Sequence, residues 1–433
     1  MIFQLSLIQV TILILATTLT IIIGIYATNY CLLAIISLRL RKNKLIVPKI
    51  TKWPTISVHL PIYNEKNVIA RLLESCINFD YPKNRFEILV IDDSNDGTTK
   101  IVKSYEEKHP NLIRTIHRKR RDGYKAGALQ EAFKKSSSEF IAIFDADYVP
   151  PKEFLKLMVP FFYNDDKIAF VQARCAYLNR NFSWVTKAIS LGIDGYCFVD
   201  QKARHSAKLL AHFSGTGGIF RRRAIKSVGG WQSDTLAEDL DLSMRLQLNG
   251  WKYNYLPDVI CPGEIPPRIK MFIQQQYRWA KGFTQCFLKH WKSVIKCESL
   301  TLFQKFEALM QLGTYFIYPF SFIAMLCSVF LFCVFPLNFF FHDFWKLIFG
   351  PVISMISAVI YSSPFVFYGT AIFELNRLNK NQTTSLKRIF YIPFLGIITM
   401  LSNTRAILEA LWLRNSPFNR TYKYGFIDEL RDS

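Results

Sequence analysis

The hydrophobic positions along the chain fall into two regimes. No residue is charged from Ile2 to Leu38, from Ala308 to Phe341 or from Leu347 to Phe373. A fourth uncharged run covers Ile389 to Thr404. Between Lys52 and Glu307, by contrast, apolar residues come in short runs broken by polar ones. About 20 consecutive apolar residues span a bilayer core. The first regime therefore predicts an N-terminal membrane anchor over 1–38. It also predicts a helical hairpin over 308–373 that turns at His342 to Lys346. A cleaved signal peptide needs a basic start, and Met1 to Val10 holds no Lys or Arg. The cations Arg39, Arg41, Lys42, Lys44, Lys49 and Lys52 follow the first run with no anion among them. That asymmetry places the N-terminus outside and the next domain in the cytosol.

The fourth run has only 16 residues and contains Pro393 and Gly396. Basic residues precede it (Arg377, Lys380, Lys387, Arg388) and follow it (Arg405, Arg414, Arg420, Lys423). A spanning helix would carry the basic tail outside. A re-entrant or interfacial segment keeps both flanks cytosolic and is favoured.

The second regime alternates strand and helix patterns. Ile56–Leu60, Phe86–Ile91, Leu112–Ile116 and Phe140–Phe144 read as strands. Asn67–Asn78, the stretch from Gly97 to Lys108, and Ala126–Ser136 read as helices. The alternation predicts an α/β domain with a mostly parallel sheet, flanked by transmembrane helices. The domain organisation is an anchor over 1–38, a cytosolic domain over 39–300, a membrane region over 301–413 and a basic tail over 414–433.

Composition narrows the class. The 433 residues are 50% hydrophobic and 20% charged, which excludes a disordered chain or a collagen-like fibre. The nine Cys show no paired metal spacing and read as reduced structural thiols. The net charge of +21 suits an anionic membrane surface or anionic substrates. No zinc-finger, helix-turn-helix or RNP pattern accompanies it, so nucleic acid is not an expected partner.

Chemistry-bearing residues gather where strands end. In parallel sheets ligands bind beyond the carboxyl ends, and Asp92-Asp93 and Asp145-Ala-Asp147 both follow strands. Two carboxylates one residue apart can clamp a hard divalent ion that takes further ligands from phosphates and water. A solvated acidic turn is the plain alternative. In Asp92-Asp93-Ser-Asn-Asp96-Gly-Thr98, Ser94 and Asp96 suit helix capping, but two adjacent carboxylates exceed what a cap needs. Lys125 opens a helix after the basic run Arg118–Arg121 and suits a phosphate; the run itself suits a solvated loop. Ser214–Gly218 reads as a tight turn open to a flat ligand. Glu238 and Asp239 precede a helix and can supply a general base, or merely complement its dipole. Gln275, Arg278 and Trp279 lie on an amphipathic stretch, where Arg278 offers a fork for pyrophosphate and Trp279 a stacking face.

Taken in order, these motifs resemble the family 2 glycosyltransferases, in particular the membrane-embedded cellulose-synthase-like and hyaluronan-synthase-like group. The stretches Gly263 to Gly282 and Asn403 to Gly425 are most similar to the glucomannan and mannan synthase-like branch. The resemblance implies a GT-A fold and an inverting hexosyl transfer from a nucleotide-sugar donor (UDP- or GDP-hexose). It implies a growing β-linked polysaccharide as acceptor, processive and coupled to translocation. A lipid acceptor such as ceramide or polyprenyl phosphate is the alternative. It assigns Tyr63, Glu65, Asp92, Asp93, Lys125 and Asp145 to the donor, and Asp145 and Asp147 to Mg2+ or Mn2+. Asp239, with Glu238, becomes the catalytic base, and Gln275, Arg278 and Trp279 the diphosphate and acceptor site. The family's usual Thr before Glu-Asp is Ala237 here. The implied location is the plasma membrane, or the Golgi in a eukaryote. A transporter or receptor with a degenerate domain is disfavoured by the intact Asp145, Asp147, Asp239 and Arg278.

Overall fold

The computed structural model describes residues 6–39, 46–334, 350–378, 384–412 and 423–425. Helix α1 (Leu7–Arg39) leads into an alternating series: β1 (Ile56–Ile62), α2 (Ile69–Ile77), β2 (Phe86–Asp92), α3 (Thr98–Lys108), β3 (Ile113–His117), α4 (Tyr124–Lys135) and β4 (Phe140–Ile143). There follow α5 (Phe154–Met158), β5 (Ile168–Tyr177), α6 (Trp184–Gly195), α7 (Lys202–Ser206), β6 (Gly218–Arg221), α8 (Arg222–Ser227), α9 (Glu238–Leu248) and β7 (Lys252–Gly263). The remaining helices are α10 (Ile269–Lys296), α11 (Leu302–Leu312), α12 (Ile317–Val334), α13 (Gly350–Leu378) and α14 (Tyr391–Trp412).

The strands form one sheet in the order β3-β2-β1-β4-β6-β5-β7. Strands β1 to β4 pair in parallel, as their sequence pattern implies. Helices cover both faces, so β4 and the Ile88–Ile91 part of β2 read as apolar runs, and in β1 even Ser57 and His59 are buried. The β5–β6–β7 half was not read from the sequence. β6 has four residues and runs antiparallel to both neighbours. β7 pairs with β5 in parallel but carries Asn254, Pro257 and Asp258, which hide its strand character. One large core lies under α2 and β1 (Leu60, Leu72, Phe144, Phe154), and a second under β6 and α9 (Phe170, Phe220, Leu242). Both support the carboxyl edge of the parallel strands.

Among the described residues, four helical stretches are long and apolar enough to cross a membrane: Leu7–Arg39, Thr314–Val334, Gly350–Leu378 and Leu386–Trp412. The second starts six residues later than the charge-free run suggests. Ala308 and Leu312 instead belong to α11 and pack against α9 and α10. Lack of charge does not separate a lipid-facing helix from one buried against protein. The turn at His342 to Lys346, the cations Arg41, Lys42 and Lys44, and most of the tail after Arg414 lie outside the described residues.

The last stretch, 386–412, is helical throughout, because Pro393 falls in the first turn of α14 where its missing N–H costs nothing. Both of its ends touch the same globular domain. Near the start, Arg388 donates to Asn181 (3.2 Å). Near the end, Glu409 accepts from Lys281 of α10 (2.9 Å) and from Tyr277.

Candidate functional site

The end of β1 and the turn after β2 form one side of a cleft. Asp92 is fully buried, and its carboxylate accepts from the Ser94 N–H (2.9 Å) and the Thr99 hydroxyl (2.6 Å) and meets His117 (3.1 Å). Those partners shape the turn, and the neighbouring Asp93 carboxylate, itself nearly covered, turns toward Arg118. Arg118 grips Asp93 in a fork, with Nε at 2.7 Å and Nη2 at 2.5 Å. The Arg121 guanidinium lies 3.6 Å from the centre of the Tyr63 ring. The basic run before α4 thus turns inward at two positions. Sequence spacing gave no sign of it, because the partners lie about 25 to 60 residues upstream.

Four elements converge on the centre. Lys125, in the first turn of α4, places its ammonium 2.7 Å from Asp145 Oδ1 and 3.7 Å from Glu238 Oε1. It also donates to the Gly215 carbonyl (2.8 Å). Thr216 accepts from the Asp145 N–H (2.9 Å), tying the glycine-rich turn to the end of β4. Gly215 has φ +81°, and a Cβ there would lie 2.8 Å from Asp239 Oδ2. Glycine lets this backbone pass against the carboxylate.

Glu238 and Asp239 occupy the first turn of α9. Burial raises both carboxyls, Glu238 to about 7, while the Lys125 ammonium pulls the other way. Burial alone would depress Lys125, but Asp145, Glu238 and Asp239 outweigh it and hold the ammonium above its ordinary range. The Arg278 charge on α10 faces Glu238, Asp239 and Asp145. Gln275, Arg278, Trp279 and Gly282 share one face of α10 by their spacing. That face meets the start of α9: a Cβ on Gly282 would lie 2.9 Å from the Ala237 Cβ. Ala237 carries no cap for α9.

Asp147 points elsewhere. Its carboxylate is buried and accepts from the Glu264 N–H (3.0 Å) and from Lys423 Nζ (2.7 Å). Arg71 bridges the Asp147 carbonyl (3.1 Å) and Glu264 (2.8 Å). The tail residues 423–425 are seated here, with Asn67 donating to the Lys423 carbonyl (3.1 Å) and Gly425 N–H to Glu264 (3.2 Å). Glu65 adds its charge to the field at Lys423. Among the described residues no trio of His, Cys, Asp or Glu can hold a metal ion. Asp145 sits against the Lys125 ammonium and Asp147 against that of Lys423, so each carboxylate faces positive charge although the two side chains turn to different partners. A divalent ion there would draw its other ligands from phosphate and water, which fits Mg2+ or Mn2+.

Sequence reasoning missed Arg118, Arg121, Lys423, Glu264, Arg71 and Asp241. Asp241 lies two residues beyond Asp239, fully buried. Its Oδ1 meets Lys289 (2.7 Å) and His290 (2.8 Å), and its Oδ2 meets Arg245 (2.8 Å). A third acidic residue in the Glu-Asp-Leu-Asp run was the available signal.

Residues 57–229 match the Glycosyl transferase family 2 family. The chain is 31% identical over 333 residues to a probable glucomannan 4-beta-mannosyltransferase of Arabidopsis thaliana, covering 73% of this chain and 58% of the relative. It is 34% identical over 262 residues to a glucomannan 4-beta-mannosyltransferase of Cyamopsis tetragonoloba, covering 59% of this chain and 50% of the relative. The chain thus spans about half the length of the curated relatives it matches. A solved mannosyltransferase of Pyrobaculum calidifontis, in complex with GDP-Man and Mn2+, superposes with a TM-score of 0.63. That match covers 92% of this chain and 99% of the other at 20% identity, a likeness of fold.

Proposed function

From the premise that this chain carries a family 2 glycosyl transferase domain and is similar to the glucomannan 4-beta-mannosyltransferases, we propose that it transfers a hexosyl unit, with inversion, from a nucleotide sugar to a growing β-linked polysaccharide. The similarity to mannosyltransferases makes GDP-mannose the donor to test first. The observation that carries the reading is the convergence of Lys125, Asp145, Glu238, Asp239 and Arg278 from four elements onto one point at the carboxyl edge of the sheet.

The nucleoside lies toward Tyr63, Asp93 and the arginines that hold them, and the diphosphate toward Lys125 and Arg278. Asp145 and Asp147 would hold Mg2+ or Mn2+, and when bound the ion would supply positive charge beside the diphosphate leaving group. Lys125 and Arg278 add fixed positive charge where that leaving group develops its own. Asp239 takes the proton from an acceptor hydroxyl as its oxygen attacks the anomeric carbon from the opposite face. Only one base is required and no carboxylate becomes bonded to the sugar, so configuration inverts. Gln275 and Trp279, beside Arg278 on α10, suit the acceptor end.

The domain faces the cytosol, where nucleotide sugars are made, and α1, α12 and α13 cross the membrane. Helix α14 lies along the interface, since its two ends meet the same domain and the tail returns to Asp147. Extension is processive, with the chain leaving between the membrane helices. A donor screen tests the reading: purified protein should release nucleoside diphosphate from GDP-mannose and build glycosidase-sensitive, high-mass product. Sugar recovered only in organic extract would replace the polymer by a lipid acceptor. No turnover of any nucleotide sugar would remove the function altogether.

A further inference from the structure

Behind the glycine-rich turn lies a chain of hydrogen bonds with no place in the chemistry above. The turn itself passes close to the centre: a Cβ on Gly215 would lie 2.8 Å from Asp239 Oδ2 and 3.5 Å from Lys125 Nζ. Just before it, the Ser214 N–H donates to Gln172 Oε1 of β5 (2.9 Å). Gln172 is buried, and its amide nitrogen donates to the carbonyls of Thr216 and Gly217 (3.1 Å each). That grip fixes the backbone and leaves the Ser214 hydroxyl free to turn. Ser214 is partly exposed. Among the described residues, its hydroxyl bonds only to Tyr196 OH (3.1 Å).

Residues Tyr196–Gln201, between α6 and α7, widen into a π-helical turn. Such turns are rare and recur at functional sites. This one brings two of its own side chains together. The Gln201 amide nitrogen donates to the Tyr196 oxygen, and to the His212 carbonyl at 2.8 Å. Tyr196 OH also meets His212 Nε2 (3.2 Å), and His212 Nδ1 meets the amide nitrogen of Gln311 on α11 (3.2 Å).

Donors and acceptors give this relay a direction. A carbonyl only accepts, so the Gln201 group on it is the NH2. Burial pushes the His212 imidazole down to about 4, so at neutral pH the ring carries one N–H. With the Gln311 NH2 facing Nδ1, that proton sits on Nε2 and donates to Tyr196. The Tyr196 oxygen then accepts from two sides, and its own hydrogen goes to Ser214 Oγ. Ser214 accepts, and its hydrogen stays unengaged.

We propose that His212 and Tyr196 are positioning residues for transfer, acting through Ser214. The relay from Gln311 turns the Ser214 hydrogen into the cleft, where it donates to an oxygen of the acceptor sugar beside the attacking hydroxyl. The attacking hydroxyl itself is left to Asp239. Reversed, the same relay would turn the Ser214 hydrogen back onto Tyr196. The role rests on the transfer reading, whereas the direction of the relay is measurable without turnover.

Two measurements on the full chain test it. With isotopically labelled histidine, the ring-nitrogen shifts report the tautomer, and the His212 signals are those lost in His212→Gln. His212 should be protonated at Nε2 and bare at Nδ1 at neutral pH. A proton on Nδ1 overturns the proposal. In transfer from GDP-mannose, Tyr196→Phe and Ser214→Ala should each lower kcat about fivefold, the worth of one hydrogen bond, with the donor KM unchanged. The double variant should lose no more than either alone, because both changes remove the same donor. Losses that multiply to about 25-fold, or wild-type kcat in either single variant, overturn the role alone. A wild-type protein that turns over no nucleotide sugar removes the transfer reading and this role together.

Discussion

At the scale of single residues, Asp239 and Glu238 have been given environments their sequence neighbours cannot provide. Burial raises both carboxyls, while Lys125, backbone N–H groups such as that of Leu240 and the Arg278 charge favour their ionised forms. Proton abstraction typically contributes about 10²–10⁴-fold, so Asp239→Asn should lose transfer on that scale while donor affinity, measured by calorimetry, persists. Wild-type-like turnover would remove Asp239 from the base position. The raised Glu238 carboxyl gives a signed pH expectation. A group that resists ionisation in the folded state stabilises the fold below its ordinary pKa of 4.5, and that contribution is lost as pH rises through about 7. Glu238→Gln should therefore raise the melting temperature of the ligand-free protein at pH 8 and change it little at pH 4. Gly215→Ala strains a left-handed backbone and drives a methyl into Asp239. It should suppress turnover more than it lowers thermal stability.

At the scale of elements, the decisive seam is α9 against α10. Two features set their register: the close approach of Gly282 to Ala237, and the capture of Asp241 by Lys289 and His290. The first carries the helix bearing Arg278 against the start of the helix bearing Asp239. The second locks them farther along. Breaking a buried ion network by removing one partner costs about 3–5 kcal/mol, so Asp241→Ala should lower stability by that order in chemical denaturation. Gly282→Ala should act on geometry instead, reducing kcat more than it raises the donor KM. An unchanged kcat would mean that the seam does not set the distance between base and cation. The seam was half legible. The amphipathic spacing of α10 and the acidic start of α9 are visible in the chain, but nothing there says that they touch.

At the scale of the whole molecule, the chain folds back on itself. Its tail supplies Lys423 to Asp147, 276 positions away in sequence. If Asp145 and Asp147 hold a divalent ion, excess chelator should stop transfer. Lys423→Ala should then lower the metal concentration needed for half-maximal activity, because a tethered ammonium no longer occupies Asp147. Full activity in chelator would exclude the metal role. Topology is tested by an impermeant maleimide on intact cells carrying single cysteines in a Cys-free background. A cysteine at position 343 should label, and cysteines at positions 100 and 430 should not. Labelling at 430 would make α14 a crossing helix, whereas labelling at 100 would separate the domain from a cytosolic donor.

By itself the sequence showed the long uncharged runs, the first four strands and the mostly parallel character of their sheet, and the strand-end positions of Asp92, Asp93, Asp145 and Asp147. Each of these rests on local periodicity or on what immediately follows a strand, and both are written along the chain. It also placed Lys125 at a helix start and Glu238 and Asp239 at another, since helix ends carry local signals. Only the tertiary structure decided which of these residues meet. Burial of the Asp92 carboxylate, the inward turn of Arg118 and Arg121, the Asp241 network, and the seating of Lys423 on Asp147 all join segments far apart in the chain. The α14 helix illustrates the limit. Its composition permits a crossing, and only the contacts of Arg388 and Glu409 with one domain argue that it stays on one side. Hydrophobicity reports how much apolar surface a segment must hide, but whether lipid or protein hides it depends on partners that no local pattern names.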